Sequence, residues 1–237
     1  MKTGFSQLGF KIEATADGSP TLRLSEEGEP MHHSGGAAKE TNYIYADPLR
    51  ASLAQMPEAS TCVVGLGLAY IEIAWALCEP TKGATLTSFE IVEPLRKNFD
   101  DWLNSEDPDI YDDVAKTLQT NADIPKLKNR LRQNFLAEPI RSDARGELAR
   151  SWNLICYDAF SKKSSSDLWD EVFLNGFIEQ ACAPDCVFIT YACTGILKKT
   201  LKRHGFVTVD RLGFPGKKNC TLALRGSFTS GSVSRIS

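Results

Sequence analysis

The sequence predicts an α/β protein whose central sheet is mostly parallel and ends in an antiparallel hairpin. From residue 61 onward, short apolar runs alternate with longer amphipathic stretches, a pattern typical of strands joined by crossover helices. The last two apolar runs are separated only by residues 212–218. Because so short a connection cannot hold a crossover helix, these two strands are expected to pair antiparallel.

The apolar and amphipathic segments define the individual elements. Strands are expected near residues 61–65, 85–90, 134–138, 153–157, 186–191, 206–210 and 219–225. Helices are expected near residues 69–78, 93–104, 111–119, 168–182 and 195–204. A charged, proline-bearing segment at about 105–133 predicts an insertion of helical turns within a domain that spans residues 51–225.

Residues 1–50 predict a small N-terminal extension. Two short runs, at 10–13 and 21–24, flank the turn-forming sequence Asp17-Gly18-Ser19-Pro20 and indicate a hairpin. The polar stretch 29–40 is expected to be a loop, and residues 42–54 are expected to form a helix. Residues 226–237 are rich in serine and glycine, so we expect a disordered tail there.

Charge and hydropathy exclude several classes of protein. The formal net charge of −3 gives no overall nucleic-acid footprint. No apolar run reaches the roughly 20 residues of a membrane span. Residues 1–10 lack the basic and then apolar pattern of a signal peptide. We therefore expect a cytoplasmic protein.

The seven cysteines are an odd number and mostly lie within apolar runs, where cysteine usually behaves as a small buried hydrophobe. Cys182 and Cys186 have a ligand-like spacing, but neither a second pair nor a nearby histidine completes a zinc site. No metal site is expected.

Basic residues concentrate late in the chain: Lys198, Lys199, Lys202, Arg203, Lys217 and Lys218. Two interpretations remain open. The cluster is either a solvated helix face followed by a basic turn, or a local patch that faces phosphates.

The most informative motif is the glycine turn Gly65-Leu66-Gly67 after the first core strand. It is followed by a helix-like segment and by a second apolar run that ends in Glu90. In nucleotide-binding βαβ units, glycines allow a tight turn close to the ligand, and an acid after the second strand accepts hydrogen bonds from ribose hydroxyls. Paired glycines alone also fit an ordinary turn, but the carboxylate in register favours nucleotide binding by Gly65, Gly67 and Glu90.

The same motif indicates which nucleotide is bound. A dinucleotide fold needs a third glycine three residues after the second, and here Tyr70 occupies that position. S-adenosylmethionine carries no phosphate, so its site needs only the tight turn and the ribose acceptor. The motif therefore favours S-adenosylmethionine over NAD as the cofactor.

Two more carboxylates follow predicted strands. Asp143, next to Ala144, is expected to contact an adenine amino group, although a helix N-cap is an equal alternative. Asp158 ends the apolar run 152–158 and is followed by Phe160. Ligands of open α/β sheets bind at the carboxyl ends of the strands. We therefore expect Asp158 to orient an amine nucleophile or to take its proton, with Phe160 shaping the amine pocket. The alternative for Asp158 is an exposed loop residue.

The adjacent histidines His32 and His33 lie in the expected N-terminal loop and have no partner in the sequence. Adjacent loop histidines are usually solvated, so no catalytic role is expected for them.

Seven segments, at residues 35–45, 65–67, 88–90, 157–163, 168–169, 190–192 and 213–218, together form a recognisable pattern. In order and content they resemble the methyltransferase domain of the bacterial tRNA 5-methylaminomethyl-2-thiouridine biosynthesis proteins (MnmC type), including stand-alone relatives without the flavin domain. The most specific element is Asp158-Ala159-Phe160-Ser161, followed by Leu168-Trp169.

The resemblance implies a Rossmann-like class I fold that uses S-adenosylmethionine to methylate the aminomethyl group of a wobble uridine in tRNA. It also implies that Glu40 and Tyr43 bind the cofactor. A separate oxidoreductase acting on the same uridine is a further expected partner.

The chain departs from the family at two positions. Val63 stands where the family usually has an acid, and Ala69 stands where it has a third glycine. Two other classes of function therefore stay open. One is a small-amine methyltransferase or an aminopropyltransferase on the same fold, and the other is a non-enzymatic binding module.

Overall fold

The computed structural model describes residues 5, 9–24, 28–148, 150–214, 219–230 and 233. The described strands are β1 (Phe10–Ala14), β2 (Pro20–Leu24), β3 (Ser60–Val64), β4 (Thr85–Phe89), β5 (Phe135–Arg141), β6 (Trp152–Tyr157), β7 (Cys182–Thr190), β8 (Val207–Leu212) and β9 (Asn219–Arg225). The first two form a separate antiparallel hairpin, as expected.

The other seven strands form one sheet in the order β5-β4-β3-β6-β7-β9-β8. Strands β3 to β7 run parallel to one another, and β9 runs antiparallel to both β7 and β8. The predicted sheet, mostly parallel with a terminal antiparallel hairpin, is confirmed. After β3 the chain adds β4 and β5 on one side of β3, and it then places β6 on the opposite side of β3. The direction in which strands are added therefore reverses, and a topological switch point lies between β3 and β6.

The described helices are α1 (Ala37–Thr41), α2 (Asp47–Gln55), α3 (Tyr70–Leu77), α4 (Glu93–Asn104), α5 (Ile110–Leu118), α6 (Ile124–Asn134), α7 (Glu171–Ala181) and α8 (Gly195–Arg203). A π-helical turn, Asn42–Ala46, joins α1 to α2 without a break, and a 3₁₀ turn, Ser166–Trp169, precedes α7. None of the helices in the described part of the chain combines the length and apolar character needed to cross a membrane.

Two hydrophobic cores lie on opposite faces of the sheet. The larger core contains Ile73 and Trp75 from α3 together with Phe99 and Tyr111 from the following helices. The smaller core contains residues of α7 and α8, among them Phe177. The central strand β3 is buried along almost its whole length because helices cover both faces, as parallel strands require.

The segment at 105–133 contributes α5 and α6 to the larger core, where Tyr111 and Leu127 are buried. It is therefore an integral part of the crossover between β4 and β5. The domain boundary at residue 51 stays a prediction.

The hairpin β1–β2 caps the helix that starts at Ala37. Thr15 Oγ1, Ser19 Oγ and Asp17 Oδ2 accept hydrogen bonds from the backbone N–H groups of residues 37, 38 and 39, at 3.1, 3.0 and 3.1 Å. The first N–H groups of a helix have no partner within the helix, so side chains from the hairpin turn satisfy them. The prediction of a loop through residue 40 was wrong for this reason, because these caps come from about twenty residues earlier in the sequence.

The expected disordered tail was wrong for its first residues. Gly226–Ser230 forms a 3₁₀ turn in which Phe228 is buried. The Asp185 carboxylate accepts a hydrogen bond from Ser227 N–H at 2.6 Å and holds this turn against β7. Residues 231, 232 and 234–237 lie outside the described residues.

Candidate functional site

A cavity of about 630 Å³ opens at the carboxyl ends of β3, β4 and β6. This is the topological switch point, where ligands of open α/β sheets bind. Its walls come from the loop before α1, the glycine turn after β3, the loops after β4 to β6, and Tyr191 after β7. The predicted residues that line it are Gly65, Gly67, Glu90, Asp143, Ala144, Glu40, Asp158 and Phe160.

The glycine turn adopts a backbone that other residues rarely allow. Gly65 and Gly67 have φ angles of 98° and 52°. A Cβ on Gly65 would lie 2.6 Å from the carbonyl oxygen of Asp158, so a side chain there would separate β3 from β6. Ala69 retains a left-handed conformation with φ of 55°, at a cost of roughly 1–2 kcal/mol for a residue with a Cβ. The turn therefore keeps its shape although alanine replaces the third glycine.

Glu90 ties the glycine turn to β4. Its Oε2 accepts a hydrogen bond from Gly67 N–H at 3.2 Å, and its Oε1 accepts one from Val92 N–H at 2.8 Å. Burial raises the pKa of Glu90, while these backbone hydrogen bonds partly offset the effect. Each carboxylate oxygen can accept two hydrogen bonds, so Glu90 can also accept from ribose hydroxyls.

Asp143 lies in the irregular segment after β5. Residues 142–148 form no helix, so the alternative of a helix N-cap is wrong. Asp143 Oδ1 accepts hydrogen bonds from Arg145 N–H at 2.9 Å and from Arg145 Nε at 2.8 Å. Although partial burial opposes the charge, the hydrogen bonds from Arg145 hold the pKa of Asp143 below its usual value. Arg145 also pairs with Asp167 at 2.6 Å, which joins two loops of the cavity wall.

Asp158 directly follows β6 and is not an exposed loop residue. Its backbone N–H donates to Val64 O at 2.8 Å and extends the ladder between β3 and β6. The hydroxyl of Tyr45 donates to Asp158 Oδ1 at 2.5 Å. Phe160 lines the same cavity, and its carbonyl oxygen accepts from the Trp169 indole N–H at 2.5 Å. The predicted catalytic pair thus lies beside the predicted cofactor residues.

The structure corrects the prediction that Tyr43 binds the cofactor, because Tyr43 does not line the cavity. Its hydroxyl donates to Leu212 O at 2.9 Å, and its ring stacks against the Arg211 guanidinium at 4.5 Å. Tyr45, two residues further along the same helical segment, lines the cavity instead. Residues two apart on a helix face different directions, and the sequence did not show which tyrosine faces the ligand.

The loop before α1 supplies further residues that the sequence interpretation missed. Met31, His32 and His33 line the cavity, so the prediction of solvated histidines was wrong. The His32 ring packs on Tyr70 with 4.6 Å between ring centroids. His33 N–H donates to Glu40 Oε2 at 2.8 Å, which fixes this loop over the cavity. No local pattern reveals these residues, because their partners are distant in sequence.

A fully buried carboxyl lies beneath the site. Glu72 on α3 is fully buried, and its Oε1 accepts a hydrogen bond from Ser88 Oγ at 2.7 Å. Burial is the main cause that raises the pKa of Glu72 to about 8, and the charges of Asp158 and Glu90 act in the same direction. Glu72 is therefore mostly protonated at neutral pH.

The residues fit an adenosyl cofactor. The cavity volume lies within the range of sites for drug-sized ligands. The glycine turn leaves its backbone accessible, and Glu90 and Asp143 offer acceptors on the same side. The strand order with its reversed β9, together with this glycine turn and acid, defines a class I methyltransferase.

Comparison with known proteins supports this class. A family model described as S-adenosyl-L-methionine-dependent methyltransferase matches residues 106–226, just over half of the chain. The protein belongs to this family of S-adenosylmethionine-dependent methyltransferases.

The curated relatives found by sequence include the following two proteins. An uncharacterized protein of Methanocaldococcus jannaschii is 27% identical over 216 residues, covering 89% of this chain and 58% of that protein. The tRNA 5-methylaminomethyl-2-thiouridine biosynthesis bifunctional protein MnmC of Hahella chejuensis is 25% identical over 234 residues, covering 86% of this chain and 36% of that protein. The chain thus spans less than two thirds of either relative.

Solved structures share the fold. MnmC2 from Aquifex aeolicus matches with a TM-score of 0.63 and 21% identity, covering 92% of this chain and 70% of that chain. Human methyltransferase-like protein 13, solved in complex with SAH, matches with a TM-score of 0.50 and 14% identity, covering 84% and 90% of the two chains.

Proposed function

We propose that this methyltransferase transfers the methyl group of S-adenosylmethionine to an aliphatic amine held at Asp158, and that the amine is the aminomethyl group of a modified wobble uridine in tRNA. The observation that carries the proposal is the position of Asp158. Its carboxylate lines the same cavity as the glycine turn and Glu90. Asp158 follows β6, and the glycine turn follows the neighbouring strand β3.

The cofactor half of the cavity comprises Gly65, Gly67, Glu90, Asp143 and Ala144. The backbone at the two glycines would contact the cofactor closely, Glu90 would accept from the ribose hydroxyls, and Asp143 would accept from the adenine amino group. Glu40 would complete this half at the end nearer the loop 29–34. When bound, S-adenosylmethionine supplies an electrophilic methyl group whose transfer to nitrogen breaks the carbon–sulfur bond.

The acceptor half is suited to a cationic amine. A protonated amine has no lone pair, so it must lose a proton before it can attack. Asp158 can hold the ammonium group by charge and hydrogen bonding, and can accept that proton directly or through water. Phe160 lines the cavity and would shape this half around the amine.

The choice of tRNA rests on two features. One curated relative and one structural neighbour carry the name MnmC, and the first of these names describes a tRNA modification. In addition, α8 presents Lys198, Lys199, Lys202 and Arg203 along one helix. Lys217 and Lys218, the other basic pair, lie outside the described residues. A tRNA substrate agrees with the expected cytoplasmic location, and an oxidoreductase that acts on the same uridine is a further proposed partner.

A second candidate substrate is a free polyamine. Among the described residues that line the cavity, six are carboxylates (Glu29, Glu40, Glu90, Asp143, Asp158 and Asp167) and one is an arginine, Arg145. Such a lining also attracts a small cationic amine. Methylation of free polyamine, without methylation of tRNA, would select this candidate.

Two variants separate the halves of the site. Asp158→Asn keeps the shape of the side chain but removes its charge, so single-turnover transfer of labelled methyl to undermodified tRNA should slow by on the order of 10²-fold or more. Its affinity for S-adenosylmethionine, measured by calorimetry, should stay near that of the wild type. Glu90→Gln should instead weaken cofactor binding by roughly 1.5–3 kcal/mol.

Asp113→Asn is the matched control, because Asp113 is an exposed aspartate on α5, away from the cavity. It should leave both measurements unchanged. A wild-type transfer rate in a folded Asp158→Asn protein would contradict the proposed role of Asp158.

A further inference from the structure

We propose that Tyr45 is a positioning residue that orients the Asp158 carboxylate and keeps it ionised, a role that rests on the proposed function of Asp158 in amine methylation. The structure shows this pair as a direct contact between a helix and a strand end that lie 113 residues apart in sequence.

The geometry is that of a strong, charge-assisted hydrogen bond. The Tyr45 hydroxyl oxygen lies 2.5 Å from Asp158 Oδ1, within the range of O–H donors to carboxylates. Tyr45 is only 2% exposed, so water competes little for its hydroxyl. The Tyr191 backbone N–H donates to the same hydroxyl oxygen at 3.3 Å, which leaves the O–H proton directed at Asp158. The Tyr45 hydroxyl therefore donates to Asp158 and accepts from Tyr191, and these two contacts orient it.

The backbone that carries Tyr45 is held by a buried arginine. Tyr45 belongs to the π-helical turn Asn42–Ala46, a rare geometry that is frequent at functional sites. Arg211 on β8 is 4% exposed, and its Nη2 donates to Tyr43 O at 2.8 Å. This arginine reaches the π-helical turn across the edge of the sheet and fixes the direction of Tyr45.

The hydroxyl remains a donor at every working pH. Burial, and then the charge of Asp158, raise the pKa of Tyr45 well above its ordinary value. A donor that cannot ionise stabilises the charged form of its carboxylate partner. With one oxygen fixed, the plane of the carboxylate is fixed as well, so the acceptor amine meets an anion in one orientation.

Other titratable groups surround this pair. They are Glu72 on α3, Cys156 on β6, Tyr191 after β7, and Glu29, His32, His33, Glu40 and Glu90 around the cavity. Since the pKa of Glu72 is raised to about 8, a pH series kept below 7 leaves its protonation nearly constant. The negative charges of the other cavity carboxylates disfavour the ionised form of Asp158. The hydrogen bond from Tyr45 is therefore the more important for keeping Asp158 ionised.

Tyr45→Phe tests the role because it removes only the hydroxyl and keeps the ring packing. With ¹³C-labelled aspartate, the Asp158 carboxyl resonance is identified by its loss in Asp158→Asn. Its titration midpoint in Tyr45→Phe should rise by about one pH unit. This readout needs no substrate, so it can fail or succeed independently of the proposed function.

Replacing Tyr45 site-specifically by 3-fluorotyrosine keeps the ring and strengthens the O–H donor, so the midpoint should move in the opposite direction. Tyr111→Phe is the control, because the Tyr111 hydroxyl is buried in the larger core with no hydrogen-bond partner among the described residues. It should leave the midpoint in place. An unchanged Asp158 midpoint in Tyr45→Phe would overturn the proposal.

Kinetics supply the second readout. Tyr45→Phe should lower kcat for methyl transfer by about tenfold, with little change in cofactor affinity. In an Asp158→Asn background, the same substitution should have almost no further effect, because the partner charge is already absent. An equal tenfold loss in both backgrounds would show that Tyr45 acts through packing and not through Asp158.

Discussion

Glu72 and Asp143 are two carboxyl groups near one cavity whose ionisation the fold shifts in opposite directions. Asp143 is partly exposed and paired with Arg145, so its charged form is favoured. Glu72 is fully buried and receives one hydrogen bond from Ser88, so its neutral form is favoured. Residue type alone does not distinguish them, and the surroundings decide the charge of each.

The buried carboxyl of Glu72 should make stability depend on pH. Its pKa is about 8 in the folded state against an ordinary value of 4.5, so the folded protein binds the proton more tightly than the unfolded chain. The contribution of Glu72 to stability is therefore full below about pH 4.5 and declines as the pH rises toward 8, by roughly 3 kcal/mol between pH 5 and 8.

Glu72→Gln removes the titration and should flatten this part of the profile. Urea unfolding at pH 5, 6.5 and 8 measures the difference between the variant and the wild type. The same slope in both proteins would mean that other groups cause the pH dependence. Glu58→Gln, at an exposed carboxylate, serves as the control.

At the scale of elements, the N-terminal hairpin and the helix from Ala37 to Gln55 act as one unit of the site. The hairpin turn caps the start of the helix, and the helix then carries Glu40 and Tyr45 to the cavity wall. The site is therefore completed by residues that precede the parallel sheet in sequence.

Ser19→Ala tests this link between hairpin and helix. Ser19 is fully buried, and its Oγ accepts from Ala38 N–H while donating to Asp17. Loss of such a cap should cost about 1–2 kcal/mol of unfolding free energy. Cofactor affinity should also fall, because Glu40 lies in the helix that loses its cap.

Urea unfolding and calorimetry with S-adenosylmethionine measure the two effects. Ser151→Ala, at an exposed serine before β6, is the matched control and should change neither. Unchanged stability in Ser19→Ala would show that the hairpin does not stabilise the helix.

At the scale of the whole molecule, charge is divided between an acidic cavity and the basic helix α8. The lysines Lys199 and Lys202 are exposed, whereas Arg203 is paired with Glu171 at 3.0 Å. Helix α8 follows β7 and the residue Tyr191, which lines the cavity. The start of α8 therefore lies on the cavity side of the sheet, while its lysines lie further along the helix.

If α8 contacts the tRNA backbone, Lys199→Glu with Lys202→Glu should weaken tRNA binding and reduce the slope of log affinity against log salt by about one to two units. Cofactor affinity should not change. The double variant Lys82→Glu with Lys116→Glu, at exposed lysines elsewhere, is the control. A wild-type salt slope near zero would leave α8 an ordinary solvated helix face.

Local patterns in the sequence were sufficient to predict the parallel sheet, the antiparallel final strand and the carboxylates at the strand ends. Hydrophobic period and connection length depend only on neighbouring residues, and strand ends of a parallel sheet necessarily meet at one edge. For this reason the location of Gly65, Glu90 and Asp158 at one edge of the sheet could be predicted without a structure.

Only the tertiary structure decided which side chains from outside the parallel sheet complete the cavity. Tyr45 rather than Tyr43 faces Asp158, and Arg211, far along the chain, donates to the backbone of the same π-helical turn. Likewise, the burial that keeps Glu72 protonated comes from the packing of α3 on the sheet. Contacts between residues that are distant in sequence, and the exclusion of water around them, arise only when the chain packs. No local pattern in the sequence therefore predicts them.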